Sequence, residues 1–108
     1  MTLTPSAELE ELCGKVTEYT EGGVRIIHLT RVQLPPGSVP ATAEGLLYLG
    51  QHSGYMSRLF LAERTQKETN WTQHRVLDRQ WYTWSYQGVS PEQRPAQVLL
   101  QQLSGLKL

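Results

Sequence analysis

Cysteine is almost absent from this chain. Cys13 stands alone, so the sequence can build no internal disulfide, no zinc cage of several thiolates and no paired redox motif. An excess of charge is missing too: Lys and Arg together number 10 and Asp and Glu together number 10, giving a formal net charge of +0. Such a chain projects no long-range field toward phosphate backbones or anionic lipid, which disfavours nucleic acid as a partner. No segment approaches the roughly 18 consecutive apolar residues of a membrane span. The opening "MTLTPSAELEEL" also lacks the basic segment and apolar run of a secretory signal, and the expected location is the cytoplasm. Without export, the sequon "NWT" at 70–72 has no role.

What remains is an ordinary globular composition, 39% hydrophobic and 19% charged over 108 residues. That length suits a single domain, 1–108, with one modest core. "SAELEELC" (6–13) has the apolar spacing of a short helix ending near Gly14, with Cys13 against the core as a small hydrophobe. After the turn "TEGG", residues 24–34 read as one long strand rich in β-branched residues. Ile27 and Leu29 break its alternation, which predicts a bulge or burial on both sides. His28, within the apolar parity, reads as a hydrogen-bonded buried histidine.

"LPPGSVP" must end that strand, with Pro36-Gly37 suited to the centre of a type II turn. The apolar runs 44–50 and 57–63 read as central strands linked by "QHSGYM", although 57–66 also suits a helix. Residues 71–77 and 79–86 flank Asp78 as a hairpin or one bent segment. A C-terminal helix follows, starting at Ser90 or at Arg94 and carrying Val98, Leu99, Leu100 and Leu103 toward the core. The fold class is α+β: an N-terminal helix, an antiparallel meander of three to five strands, and a C-terminal helix.

Few residues suggest chemistry. His28, His52 and His74 share no ligand spacing, and neither a metal nor a cofactor is expected. His52 lies beside Ser53, but Asp78 is the only aspartate that could orient a serine–histidine pair. Glu63, Glu68 and Asp78 give no sign of converging. The densest feature is "DRQWYTWSYQG" (78–88). On a strand, Tyr82, Trp84 and Tyr86 would share one face and Trp81, Thr83 and Ser85 the other. Three rings in a row could stack bases, but such sites also need a cationic groove. The row therefore reads first as core, which leaves Trp81, Thr83 and Ser85 as the face open to function.

Several short motifs resemble the bacterial ubiquitin-conjugating-enzyme-like families. "VQLPPGSVPATAEGLLYLG" is similar to their strand, Leu-Pro-x-Gly, spacer and apolar strand; "SGYMSRLFLAE" to their Gly-Tyr and following strand; "WYTWSY" to a Trp-x-x-Trp-Ser motif. The matching positions are Leu34, Pro35, Gly37, Gly54, Tyr55, Trp81, Trp84 and Ser85. The resemblance implies a helix, a meander and a helix, and partners such as a ubiquitin-like modifier or its activating enzyme. Two positions depart from it: Met56 follows Tyr55 where the family has proline, and Tyr86-Gln87 replaces a polar histidine region. A third departure bears on chemistry, since the family carries its modifier on a cysteine beyond the meander, whereas Cys13 lies in the first helix.

The leading expectation is thus a non-catalytic protein-binding or scaffolding domain, with His52, Ser53, Tyr55, Arg58, Trp81 and Ser85 as candidate binding residues. One alternative is a small enzyme or ligand-binding domain with a His/Ser/Tyr/Arg pocket. Another is a single-stranded nucleic-acid binder.

Overall fold

The computed structural model describes residues 5–106 apart from 53, 68, 85, 87 and 91. Helix α1 (Pro5–Cys13) begins with a proline, whose missing N–H is no loss in a first turn. Gly14 ends it: at φ 74 its N–H closes on the Glu10 carbonyl at 3.0 Å. Leu9 and Cys13, one turn apart, are both buried, while Leu12 faces outward.

Strands β1 (Val16–Glu21) and β2 (Val24–Gln33) form a hairpin across Gly22 and Gly23, whose φ values of 59 and 81 suit a type I′ turn. Sequence reasoning had found only the turn. "VTEYTE" carries no apolar alternation because β1 is an edge strand, exposed over most of its length. In β2 the register shifts between Leu29 and Val32, so these two residues face one core despite opposite parity. The bulge and the two-sided burial expected there are both present.

The turn at Pro35–Ser38 closes through the Ser38 N–H and Pro35 carbonyl at 3.0 Å, with Gly37 at φ 86 as a type II turn requires. Strands β3 (Thr42–Leu49) and β4 (Arg58–Leu61) follow as the central antiparallel pair. All four residues of β4 are buried, and the stretch 57–66 holds this strand and no helix. Strands β5 (Thr72–Val76) and β6 (Arg79–Thr83) form a hairpin through Leu77 and Asp78, both at positive φ.

The sheet has six strands in the order β1-β2-β3-β4-β6-β5, against an expectation of three to five in a simple meander. The meander holds through β4. Then β6 takes the inner place and β5 becomes the edge, joined to the rest by the single pair Leu61–Tyr82. Helix α2 (Pro95–Ser104) starts after Arg94, settling the choice left open at its N-terminus. Leu100, assigned to the core from sequence, is instead exposed, and Gln102 turns inward to donate to the Ser57 carbonyl at 3.1 Å. Among the described residues, no helix is long and apolar enough to cross a membrane.

Strand alternation divides the interior into two cores. Ile27, Leu29, Leu47, Leu59, Leu61 and Trp84 meet both helices on one face. Ile26, Leu46, Phe60, Val76 and Trp81 fill the other, where no helix lies. The curl of the sheet covers this second core. Arg79 of β6 reaches across to Glu44 of β3, two strands away in the sheet order, with bonds of 2.8 and 2.9 Å. Each fully buried Leu or Phe there contributes roughly 1.5–3 kcal/mol, enough to keep a single-pair junction closed.

Candidate functional site

Arg58 is the first residue of β4 and shares a face with Phe60, at one end of the helix-free core. Three neighbours surround it. His52 and Tyr55 come from the tight connection after β3, where each bonds the other's backbone at 2.8 and 2.9 Å and Gly54 sits at φ 89. His74 comes from β5, brought over by the curled hairpin.

Arg58 is 3% exposed. Arg58 Nη1 donates to His52 Nδ1 at 3.2 Å and to His74 Nε2 at 3.4 Å, and its carbon lies 4.2 Å from the Tyr55 ring centre. The Thr72 hydroxyl approaches the same His74 nitrogen at 3.0 Å. The two imidazoles pack edge to face with centres 4.9 Å apart, and the Tyr48 and Phe60 rings each lie 5.3 Å from His52. Arg58 Nε is buried without a hydrogen-bond partner. Among the described residues, no carboxylate comes within ion-pair distance of Arg58.

This arrangement fixes the protonation of the cluster. A guanidinium only donates, so both imidazole nitrogens facing it must carry a lone pair. Burial pushes His52 below the ordinary imidazole range, helped by His74 and Arg58; burial, then Arg58, does the same to His74. Burial also lowers the Arg58 pKa, against a small opposing effect from Tyr55. Two neutral rings and an aromatic face thus stand where a buried cation ordinarily has an anion.

Of the six residues singled out in the sequence, His52, Tyr55 and Arg58 converge here. Trp81 does not join them: it fills the helix-free core, and its indole N–H donates to the Val76 carbonyl at 3.1 Å. Ser53 and Ser85 lie outside the described residues. Thr83 is buried and donates to the Leu59 carbonyl at 2.9 Å, so the face left open to function in the sequence reading is closed. On the other side Trp84 is buried in the helix-covered core, in keeping with the reading of these rings as core rather than as a stacking platform. His74 was missed as a participant. It lies 16 positions from Arg58, a separation that no local motif encodes.

Nucleophilic chemistry is not assembled. A histidine acting as base for a serine needs a carboxylate on its other nitrogen. His52 Nδ1 instead faces a cation, and Asp78 sits 99% exposed on a hairpin tip, 3.9 Å from Arg75.

Elsewhere on the same face, His28 is only part-buried and bonds Glu44, which also accepts both Arg79 bonds. The Arg79 hydrogen bonds, outweighing burial, hold the Glu44 carboxyl down at about 2. That cluster is neutralised internally. Cys13 is 1% exposed, and burial pushes its thiol up to about 11.

No protein-family model, curated protein or solved structure matches this chain. Function therefore has to be argued from the side chains, and Arg58 stands apart: its charge is buried and, among the described residues, no opposite charge is beside it.

Proposed function

We propose that this chain is a non-catalytic, cytoplasmic binding domain with a conjugating-enzyme-like fold, and that its partner is a protein, a ubiquitin-like modifier or the enzyme that activates one. The motif order in the sequence and an antiparallel sheet preceded and followed by a helix in the chain support the reading. Cys13 is the observation that carries its non-catalytic half. The only thiol is sealed between α1 and the helix-covered core and titrates near 11, so at neutral pH it is neither accessible nor ionised as a thioester carrier must be.

Two measurements test this reading. Incubation with an activating enzyme, ATP and modifier encoded beside it should yield no covalent adduct, and one that survives denaturation overturns the reading. Titration of the same proteins into labelled chain should move a contiguous set of backbone resonances; no movement removes the proposed partner.

A second reading, a small ligand-binding domain, is favoured by one observation: His52, Tyr55 and Arg58 meet around a buried guanidinium. Binding fits this cluster better than catalysis, because the imidazole nitrogens that carry the lone pairs face the guanidinium rather than a hydroxyl held by a carboxylate-oriented histidine.

A further inference from the structure

An isolated buried cation is expensive, and proteins normally pair or neutralise it. Arginine cannot neutralise itself at physiological pH, so Arg58 keeps its charge. Its environment offsets only part of the desolvation. Nη1 has two imidazole acceptors, yet Nε has none, and the ring of Tyr55 supplies a weak quadrupole rather than a charge. A hydrophobic residue at this position would avoid the penalty, since the Phe60 and Tyr48 rings already pack on its neighbour His52. A charge kept at such cost, with one arm of its fork unused, is the arrangement of a site built for an anion that arrives from outside.

We infer that Arg58, flanked by His52 and His74, is a receiving site for a carboxylate group. The inference rests on the ligand-binding reading above and names what is bound. With both imidazoles neutral the unliganded cluster carries one positive charge, the counterpart of a single carboxylate. The planar guanidinium fork also fits a planar carboxylate through two parallel bonds. His52 and His74 are partly exposed and form the outer layer through which a ligand approaches.

Binding should change the imidazoles from acceptors into donors. Once a carboxylate neutralises Arg58, the repulsion that keeps the rings unprotonated falls away, and a ring that turns toward the anion gains by taking up a proton. The titratable groups facing this exchange are Arg58 on β4, His52 and Tyr55 on the β3–β4 connection, His74 on β5 and Tyr48 on β3. Glu44, the carboxylate on the same face of β3, is occupied by His28 and Arg79 and does not compete.

The test is a titration of the full chain with sodium acetate, and in parallel with acetamide, followed through the Arg58 Nε–Hε resonance and the ring signals of His52 and His74. Acetate should shift all three saturably and acetamide should not. The apparent affinity should be several-fold tighter at about pH 6 than at about pH 8, within a limit of about tenfold per pH unit for each proton taken up. The Arg58→Met variant should lose the acetate response while keeping an equal or higher Tm, because an apolar side chain relieves the buried charge. A short peptide with a free C-terminal carboxylate, compared with its amidated form, identifies the source. Tighter binding than acetate assigns the group to a partner's chain end, and a response to acetate alone assigns it to a small metabolite.

Absence of a saturable acetate shift at both pH values, or an equal response to acetamide, overturns the inference. So does an Arg58→Met variant that responds to acetate as the parent does. None of these outcomes depends on the modifier titration described above, so the site and the partner can fail separately.

Discussion

Trp81 and Trp84 lie three positions apart and are buried in different cores, Trp81 on the helix-free face and Trp84 beneath the helices. Their indole nitrogens differ as well. Trp81 donates to the Val76 carbonyl, whereas the Trp84 N–H is buried without a partner among the described residues. Trp81→Phe removes a satisfied bond and weakens the β5–β6 turn, while Trp84→Phe removes a donor that was already a liability. We expect Trp81→Phe to cost about 1 kcal/mol more than Trp84→Phe, measured as the difference in urea unfolding free energy. Equal costs would mean that the Trp84 N–H is satisfied in solution.

Acid should destabilise the protein in two stages. His52 and His74 have folded-state pKa values below the ordinary 6.5, so in that window the unfolded chain binds more protons than the folded one. Stability supplied by the neutral rings is complete above 6.5 and falls as pH drops below it. Glu44, lowered from 4.5 to about 2, contributes stability above 4.5 that is lost between those values. Its carboxylate is about a third exposed, so that second loss is discounted to about 1 kcal/mol. Thermal melts between about pH 7 and pH 3 should show both slopes, and His52→Gln combined with His74→Gln should flatten only the upper one.

Gly45 should not tolerate a side chain. A Cβ there would meet the Phe60 carbonyl oxygen and Val32 Cγ2, each at 3.0 Å, where β3 passes between β2 and β4. Gly45→Ala is expected to destabilise by about 1–3 kcal/mol through forced displacement of backbone, read from the urea midpoint. The fully open Gly54, whose φ of 89 is the constraint instead, should lose stability to alanine through strain alone.

Cys13 should react only when the protein opens. Its burial and raised pKa predict alkylation by iodoacetamide far slower than for a free thiol at pH 8, with the rate rising in step with the unfolded fraction as urea is added. Rapid labelling in native buffer would contradict both the burial and the non-catalytic reading that depends on it.

Elements with a local signal were readable before any coordinates. The bulge in β2 announced itself through Ile27 and Leu29, the type II turn through Pro36-Gly37, and the end of α1 through Gly14. β1 was not, because an exposed edge strand such as "VTEYTE" need carry no apolar period. Strand order was illegible for another reason: β6 lies beside β4 because of the sheet's curl, and one pair, Leu61–Tyr82, records it. The candidate site divides along the same line. His52, Tyr55 and Arg58 are within a few positions of one another and could be grouped from sequence, whereas His74 arrives through tertiary structure and Trp81 was assigned outward on a parity that ignored burial on both faces.

The shortness and complete burial of β4 carry a consequence for the ligand. Its four residues alternate between the two cores, so the strand cannot detach without opening both, and its amides should exchange with solvent only through global unfolding. Arg58 is anchored in that cooperative unit, while His52, Tyr55 and His74 belong to the connection and the edge hairpin around it. Slow protection at Leu59 and Phe60 beside faster exchange at Tyr55 and His74 would describe a binding centre with an immobile charge and adjustable walls.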